Sequence, residues 1–360
     1  MVDPSTPATV TLEGVSELSH EAIESNERAV ALFKRVVESN DAFAGAYRGL
    51  AHAYLQRTED LGLGTSWLEP AAEAANRAIQ LDPSDGDAYH VLGRVYRIKG
   101  WLREELQVWQ QRLRVAPDDP VANSRVGWVL WFTGRADESL PWLRTAATLQ
   151  PNDRWVHFYV GNANLAIGDY QEATGSYRKA LSVDPQHSSA RAGVIWSRLA
   201  AGRDDEARAE LRTFQKQPSD GDRYPLKLAD IEYFLGEHEA AVAHAKQALA
   251  EPEERYWPRG FLASTILGAA LWSQDRSAAG EYFDQSERID RARLQGGDQG
   301  FMAHIDLVAI ESIRGDFRAA RDSMRAAIAA GWRYGPIAIR DRLFEGLRTE
   351  PDFVQLVEGR

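Results

Sequence analysis

The sequence predicts an all-α fold of stacked helix–turn–helix repeats, and two regularities predict it. Four prolines recur every 34 residues, in the phrases LDPSD, APDD, LQPND and VDPQH. A glycine recurs at the same interval in the middle of each period. These positions are Pro83, Pro117, Pro151 and Pro185, and Gly100, Gly134, Gly168 and Gly202. A fixed period of about 20–50 residues indicates a repeat architecture, in which each unit packs on its neighbours.

Residues 154–187 show how one period forms two helices. The first segment, RWVHFYVGNANLAIG, stops at Gly168, and Asp169 can cap the segment that follows. The second, YQEATGSYRKALSV, places apolar residues at helical spacing and ends before a proline, which cannot continue a helix. We expect Gly161 to let the two helices approach closely and Tyr177 to fill the contact with the next unit.

The same pattern extends in both directions along the chain. Upstream it recurs in NERAVALFKRVVESND and AYRGLAHAY, and RTEDLGLGTS is a polar, glycine-containing loop. Downstream it recurs in LKLADIEYFLGEHEAAVAHAKQALAEP and IDLVAIESIRGDFRAARDSMRAAIAAG. We therefore predict a disordered segment over residues 1–16 and about eight helical hairpins over 17–333, looser at 254–300. Residues 334–360 are expected to cap the open end, because a terminal repeat needs a solvated outer face.

This unit resembles the tetratricopeptide repeat, which has an aromatic residue, Leu-Gly and Tyr in its first helix and Ala, an aromatic residue, Ala and Pro in its second. The pattern is carried by Tyr89, Leu92, Gly93, Tyr96, Trp109, Leu113 and Pro117, and again by Val160, Gly161, Ala173, Tyr177, Ala180 and Pro185. The resemblance implies a right-handed superhelical solenoid with a concave face built mostly from first helices. The phrases DAFAGAYRGLAHAYLQR and LRTEPDFVQLV also resemble repeats that follow bacterial regulatory domains such as nucleotide cyclases.

Helical spacing on the first helices predicts which residues face the groove. The predicted groove is basic at its N-terminal end and aromatic in its middle. Its residues are Arg48, His52, His90, Arg94, Arg97, Trp128, Trp131, Trp155, Phe158, Asn162, Trp196 and Tyr233. Two plainer interpretations stay open: the arginines as ordinary solvated residues, and the tryptophans as packing between helices.

The predicted groove favours a protein or peptide partner over a chemical substrate. Arginine guanidinium groups bind carboxylates through paired hydrogen bonds, so we expect acidic or carboxylate groups beside aromatic or aliphatic anchors. The resulting hypothesis is a non-enzymatic scaffold or adaptor. The alternatives are a regulatory or ligand-sensing segment of a bacterial signalling protein, and an accessory subunit with a small-molecule pocket in the aromatic section. A homo-oligomer through residues 254–300 is a further possibility.

Composition and motifs argue against several other classes of function. The 360 residues carry a formal net charge of −11, which disfavours a general nucleic-acid binder. There is no cysteine, no HExxH and no phosphate-binding GxxxxGK[ST] loop, so we predict no catalytic residue, no metal and no cofactor. Neither a signal peptide nor an apolar stretch of about 18 residues occurs, and a cytoplasmic protein without membrane contact is the expectation.

Overall fold

The computed structural model describes residues 6–216, 224–250 and 259–358, and every regular element in these ranges is helical. The helices pair into nine successive hairpins, one more than the eight or so expected. They form two compact units, residues 1–125 (unit 1) and 126–360 (unit 2), with the division inside one helix. The fold is an all-α solenoid of stacked helix–turn–helix repeats, as the sequence predicts.

Unit 1 contains three hairpins in which first and second helices alternate. The helices are α1 Pro7–Leu18, α2 Ile23–Ser39, α3 Ala44–Glu59, α4 Leu68–Leu81, α5 Gly86–Ile98 and α6 Leu102–Val115. A 3-10 turn at Thr65–Trp67 closes the predicted polar loop. The first helices contact one another in order, α1 with α3 and α3 with α5, and so form one continuous layer. Helix α7, Pro120–Phe132, contains the division between the units.

Unit 2 continues the alternation to the end of the chain. Its helices are α8 Ala136–Leu149, α9 Arg154–Ile167, α10 Tyr170–Val183, α11 Ser188–Ala200, α12 Asp204–Gln215, α13 Tyr224–Leu235, α14 His238–Ala248, α15 Ala263–Leu271, α16 Arg276–Gln295, α17 Met302–Arg314 and α18 Phe317–Ala329. After them come α19 Gly335–Ala338, 3-10 turns at Arg342–Phe344 and Gly346–Thr349, and α20 Phe353–Glu358. In the expected looser region, α15 is short and α16 is the longest helix described.

The turn inside six of the nine described hairpins contains a glycine with positive φ at the repeat position, as the sequence predicts. Gly168 ends α9 in the left-handed region at φ +88°, where a side chain would be strained. The carboxylate of Asp169 then accepts a hydrogen bond from the Glu172 backbone N–H at 3.1 Å and caps α10. Glycines at the equivalent positions of five other hairpins also have positive φ. They are Gly100, Gly134, Gly202, Gly236 and Gly315.

The two ends of the chain differ from the sequence expectation. Residues 7–16 are helical, so the prediction of disorder over 1–16 was wrong there, and residues 1–5 lie outside the described part. The helix forms because Thr6 caps it and Val10 is buried with Val36 and Ala46. Residues 334–358 pack on α17 and α18, as expected of a cap, but they also reach back to α11 and α13.

Candidate functional site

A groove of about 380 Å³ crosses the layer of first helices in unit 1. Its floor is partly apolar, from Val15 and Leu18 of α1 and Leu55 of α3. Its charged lining comes from α3, from the turn that follows it and from α5. These charged residues are Arg48, Glu59, Asp60, Asp87 and Arg94, and His52 lies among them. The groove therefore brings together three of the residues predicted from the sequence.

Carboxylates of the chain itself already engage both arginines of this groove. The Arg48 guanidinium lies 3.3 Å from Asp85 and 3.8 Å from Asp87. Arg94 lies 2.5 Å from Glu59. The lining has two arginines against three acidic side chains. The expectation of a basic groove was wrong here, because sequence spacing identified the arginines and overlooked the acids one turn or one repeat away.

The remaining residues predicted for unit 1 lie beside this groove on α5. Burial, together with the charges of Arg94, Arg125 and Arg97, lowers the pKa of His90 to about 4. Burial also lowers the pKa of His52, so both imidazoles favour the neutral form at neutral pH. Both histidines are therefore uncharged hydrogen-bonding groups, and neither adds positive charge to the groove.

One buried acid of unit 1 was missed by the sequence analysis. Glu105 on α6 has no exposed surface, and burial raises its pKa to about 7 against the attraction of Arg97 and Arg125. One carboxylate oxygen accepts a hydrogen bond from the Trp109 indole at 3.3 Å, and the other has no hydrogen-bond partner among the residues that the structure describes. Glu105 lies in the first turn of α6, where an acidic residue is commonly found because it interacts favourably with the helix dipole, so its position gives no sign of burial.

The first helices of unit 2 carry the predicted aromatic residues, and these pack against one another. Trp128 is half-buried and stacks on Phe132 with ring centroids 5.0 Å apart. Phe132 in turn lies 5.1 Å from Phe301, which precedes α17. Trp131 is only 3% exposed. The expectation that Trp131 is an exposed groove residue was therefore wrong, because later parts of the chain cover this face.

The next first helix, α9, shows the same partial burial. Trp155 remains 38% exposed, and its ring lies 4.5 Å from that of His187. Phe158 is buried between His187 and Tyr177. Asn162 is fully buried, and its carbonyl oxygen accepts a hydrogen bond from the Tyr177 hydroxyl at 2.6 Å. Only Trp155 of the predicted residues on this helix is open to solvent, and the expectation of exposure was wrong for Phe158 and Asn162.

Trp196 and Tyr233, also predicted to face the groove, are buried as well. The Arg259 guanidinium lies 4.4 Å from the Trp196 ring and forms ion pairs with Asp230, at 3.2 Å, and with Asp341. The expectation of exposure was wrong for both residues, because a buried arginine and the tail of the chain cover the face that they share. Arg259 could not be identified from the sequence, because it does not occupy a position of the repeat pattern.

The described residues form neither a membrane-spanning helix nor a cluster of metal ligands. None of the helices in the described ranges is long and apolar enough to cross a membrane. Within the same part of the chain, no three His, Asp or Glu side chains are grouped so that they could hold a metal ion.

Comparison with known proteins identifies the repeat type. Residues 143–257 match the family described as tetratricopeptide repeat. Anaphase-promoting complex subunit 3 of Schizosaccharomyces pombe is 29% identical over 121 residues, which are 34% of this chain and 18% of that protein. The peroxisomal targeting signal receptor of Saccharomyces cerevisiae is 24% identical over 166 residues, which are 46% of this chain and 27% of the receptor. The chain thus spans about a fifth to a quarter of the length of these relatives.

One solved structure is also similar to part of this chain. YrrB, described as a TPR protein with an unusual peptide-binding site, superposes with a TM-score of 0.44 and 24% identity, covering 60% of this chain and 97% of YrrB. The family match over residues 143–257 agrees with the 34-residue frame of paired helices, their glycine turns and their inter-repeat prolines. Residues 143–257 of the chain therefore contain repeats of the tetratricopeptide family.

Proposed function

We propose that this chain is a non-enzymatic interaction scaffold that binds a peptide in the groove of unit 1. One observation carries the proposal: first helices α1, α3 and α5 line a single open groove with an apolar floor and charged walls. An extended peptide can place an aliphatic side chain on Val15, Leu18 and Leu55. Each such anchor contributes about 1.5–3 kcal/mol before ordering costs, so two or three anchors support an affinity near the micromolar range.

The charges of the groove favour a peptide with a basic residue. A ligand carboxylate would have to displace Glu59 from Arg94 or Asp87 from Arg48. A lysine or arginine of the ligand can pair instead with Asp87, whose side chain is 71% exposed, or with Asp60. The expected ligand therefore still has an aliphatic anchor. Its charged residue is expected to be basic, whereas the sequence alone predicted an acidic one.

The aromatic residues of unit 2 give less support to a binding role. A small-molecule pocket there would need open rings, and Trp131, Phe158 and Trp196 are buried. Trp128 and Trp155 keep some exposed surface and remain predicted contact residues. Self-association of the chain also stays a prediction, which light scattering would test.

An array of immobilised twelve-residue peptides tests the proposal directly. We expect the full chain to select peptides that combine Lys or Arg with Leu, Ile or Val. The double variant Asp60→Lys/Asp87→Lys should lose at least tenfold in affinity for those peptides, because like charges then meet in the groove. The matched control is Asp41→Lys/Glu73→Lys, which makes the same change of net charge at exposed residues outside the lining.

Two outcomes of this experiment would reject the assignment. Equal losses in the groove variant and the control would mean that binding responds only to overall charge. Selection of acidic peptides that bind the groove variant as well as the wild type would mean that Asp60 and Asp87 do not face the ligand.

A further inference from the structure

A second cavity, of about 350 Å³, lies in unit 2 where the tail of the chain reaches back to earlier repeats. It is bounded by the start of α12, the end of α13 and the turns that follow α19. Four of its lining residues are arginines and two are acidic, in a chain whose net charge is −11. The charged lining consists of Asp204, Arg208, Arg340, Arg342, Glu345 and Arg348. Such a local excess of guanidinium groups creates a positive potential within an acidic protein, and this potential favours the binding of an anion.

Two of these arginines have acidic partners within the chain. Arg208 lies 2.8 Å from Glu237, and Arg340 lies 2.6 Å from Asp204. Both pairs are partly exposed to solvent. They are therefore modest interactions that hold the wall of the cavity in place.

The other two arginines have no carboxylate partner within 4.0 Å in the described part of the chain. Arg348 donates one hydrogen bond, to the backbone carbonyl of Asp341 at 2.7 Å, and attracts the buried Asp341 carboxyl only from beyond ion-pair distance. Arg342 lies against the Gly236 backbone in the left-handed turn between α13 and α14. Both residues are exposed to solvent. The cavity thus presents two guanidinium groups that are open to a ligand.

We propose that this cavity binds a phosphate monoester group, with Arg342 and Arg348 as its principal ligands. A phosphate monoester carries about −1.5 to −2 charges at pH 7 and three acceptor oxygens, which match two guanidinium forks. A carboxylate or a phosphodiester carries only one charge and would balance only one of the two guanidinium charges. Arginine is suited to this role because its planar donors bind phosphate through paired hydrogen bonds.

Glu345 provides a specific check on this charge argument. Its carboxylate lines the same cavity, is exposed and forms no ion pair within 4.0 Å in the described ranges. It therefore opposes an entering anion. Replacing it with glutamine, an uncharged side chain of the same shape, should strengthen phosphate binding. A site that recognised only the shape of its ligand would not respond to this change.

The site is independent of the peptide groove, because it lies in the other unit and binds a different chemical group. Isothermal titration of the full chain at pH 7.5 and low salt, in a buffer without phosphate, tests it with two probes. Inorganic phosphate tests for a free anion, and a phosphoserine peptide tests for a phosphorylated partner. The unphosphorylated peptide and acetate are the controls for the probes. We expect saturable binding of at least one phosphate probe and much weaker binding of acetate.

Variants then assign the binding to named residues. Arg342→Gln/Arg348→Gln should weaken phosphate binding by about tenfold for each guanidinium removed, and Glu345→Gln should strengthen it severalfold. The matched control is Arg291→Gln/Arg325→Gln, since these arginines are exposed on other helices and lie outside the lining. Far-UV circular dichroism checks the fold of each variant. The proposal fails if the first double variant binds as the wild type does, if acetate binds as tightly as phosphate, or if neither phosphate probe binds at 10 mM, about the weakest affinity such a site could have.

Discussion

Nη2 of Arg340 lies 2.6 Å from both carboxylate oxygens of Asp204, a residue 136 positions earlier in the chain. The same guanidinium donates a hydrogen bond to the backbone carbonyl of Leu199 at the end of α11. This contact joins the tail of unit 2 to the single hairpin formed by α11 and α12. A repeat array normally has contacts only between neighbours, so the arginine makes the stability of distant repeats interdependent.

A double-mutant cycle on this pair measures that coupling. We expect Arg340→Ala and Asp204→Ala to show a coupling free energy of about 0.2–1 kcal/mol, because both side chains are partly exposed and the pair is screened by water. Urea unfolding followed by far-UV circular dichroism gives the four free energies of unfolding. Strictly additive effects of the two substitutions would contradict a direct interaction.

Arg259 is much more deeply buried than Arg340. Its replacement should therefore lower the free energy of unfolding by a larger amount. Its side chain is 5% exposed and lies between the carboxylates of Asp230 and Asp341 and the face of Trp196. Arg259→Met would remove the guanidinium that both buried carboxylates contact, and we expect a loss of roughly 3–5 kcal/mol in the free energy of unfolding. Urea unfolding of this variant is the measurement.

The control for that prediction is Arg291→Met, which removes a guanidinium from an exposed pair on α16. It should change the free energy of unfolding by less than about 1 kcal/mol. The triple variant Arg259→Met/Asp230→Asn/Asp341→Asn should recover part of the loss, because the uncompensated charges are then removed. A loss below about 1 kcal/mol for Arg259→Met alone would show that Arg259 is not a structural cation.

The local features of the repeats could be predicted from the sequence. Gly168 ends α9 and Asp169 caps α10, and both interact only with residues a few positions away in the chain. The preference for glycine at a helix end and for aspartate at a helix start can be recognised in any short segment of sequence. The contact of Gly161 with Tyr177 also belongs to a single hairpin. Periodicity is sufficient for such features, because the elements involved are adjacent in the chain.

The exposure of the inner face could not be predicted in the same way. Helical spacing indicates that Trp196 and Tyr233 project from one face, but not which distant segment covers it. The covering residues include Arg259 and Asp341, which do not occupy any repeat position. At the other end of the chain, the short apolar pattern of residues 7–16 was too weak to predict a helix that is stabilised by packing on α2.

The buried carboxyl group of Glu105 should make unit 1 sensitive to pH. Its pKa is raised to about 7, so the folded state retains a proton that the unfolded state has lost above its ordinary value of 4.5. The contribution of Glu105 to stability is therefore fully present below pH 4.5 and is lost as the pH rises through 7. The total change is about 3 kcal/mol.

Comparison with Glu105→Gln isolates this effect from the other titrating groups. The difference in free energy of unfolding between wild type and variant should shift in favour of the variant between pH 4.5 and pH 7. Urea unfolding at several pH values in this range gives the curve. A difference that stays constant over the range would show that Glu105 titrates normally.

Tyr177 packs between two glycines, one from each of two successive first helices. A Cβ atom at Gly161 or at Gly193 would lie 2.6 Å from the Tyr177 ring, closer than such contacts allow. The ring cannot move freely, because its hydroxyl donates to Asn162 at 2.6 Å and its side chain is fully buried. We therefore expect Gly161→Ala and Gly193→Ala each to lower the free energy of unfolding by about 1–3 kcal/mol through overpacking.

Gly175 on α10 is the matched control for both substitutions. It is also a helical glycine, but a Cβ atom there would meet nothing within 4 Å. Gly175→Ala should raise the free energy of unfolding by about 0.5–1 kcal/mol, because alanine loses less backbone entropy than glycine on forming a helix. Urea unfolding of the three variants gives the comparison. A rise in the free energy of unfolding at all three positions would mean that helix propensity, and not contact with Tyr177, determines the response.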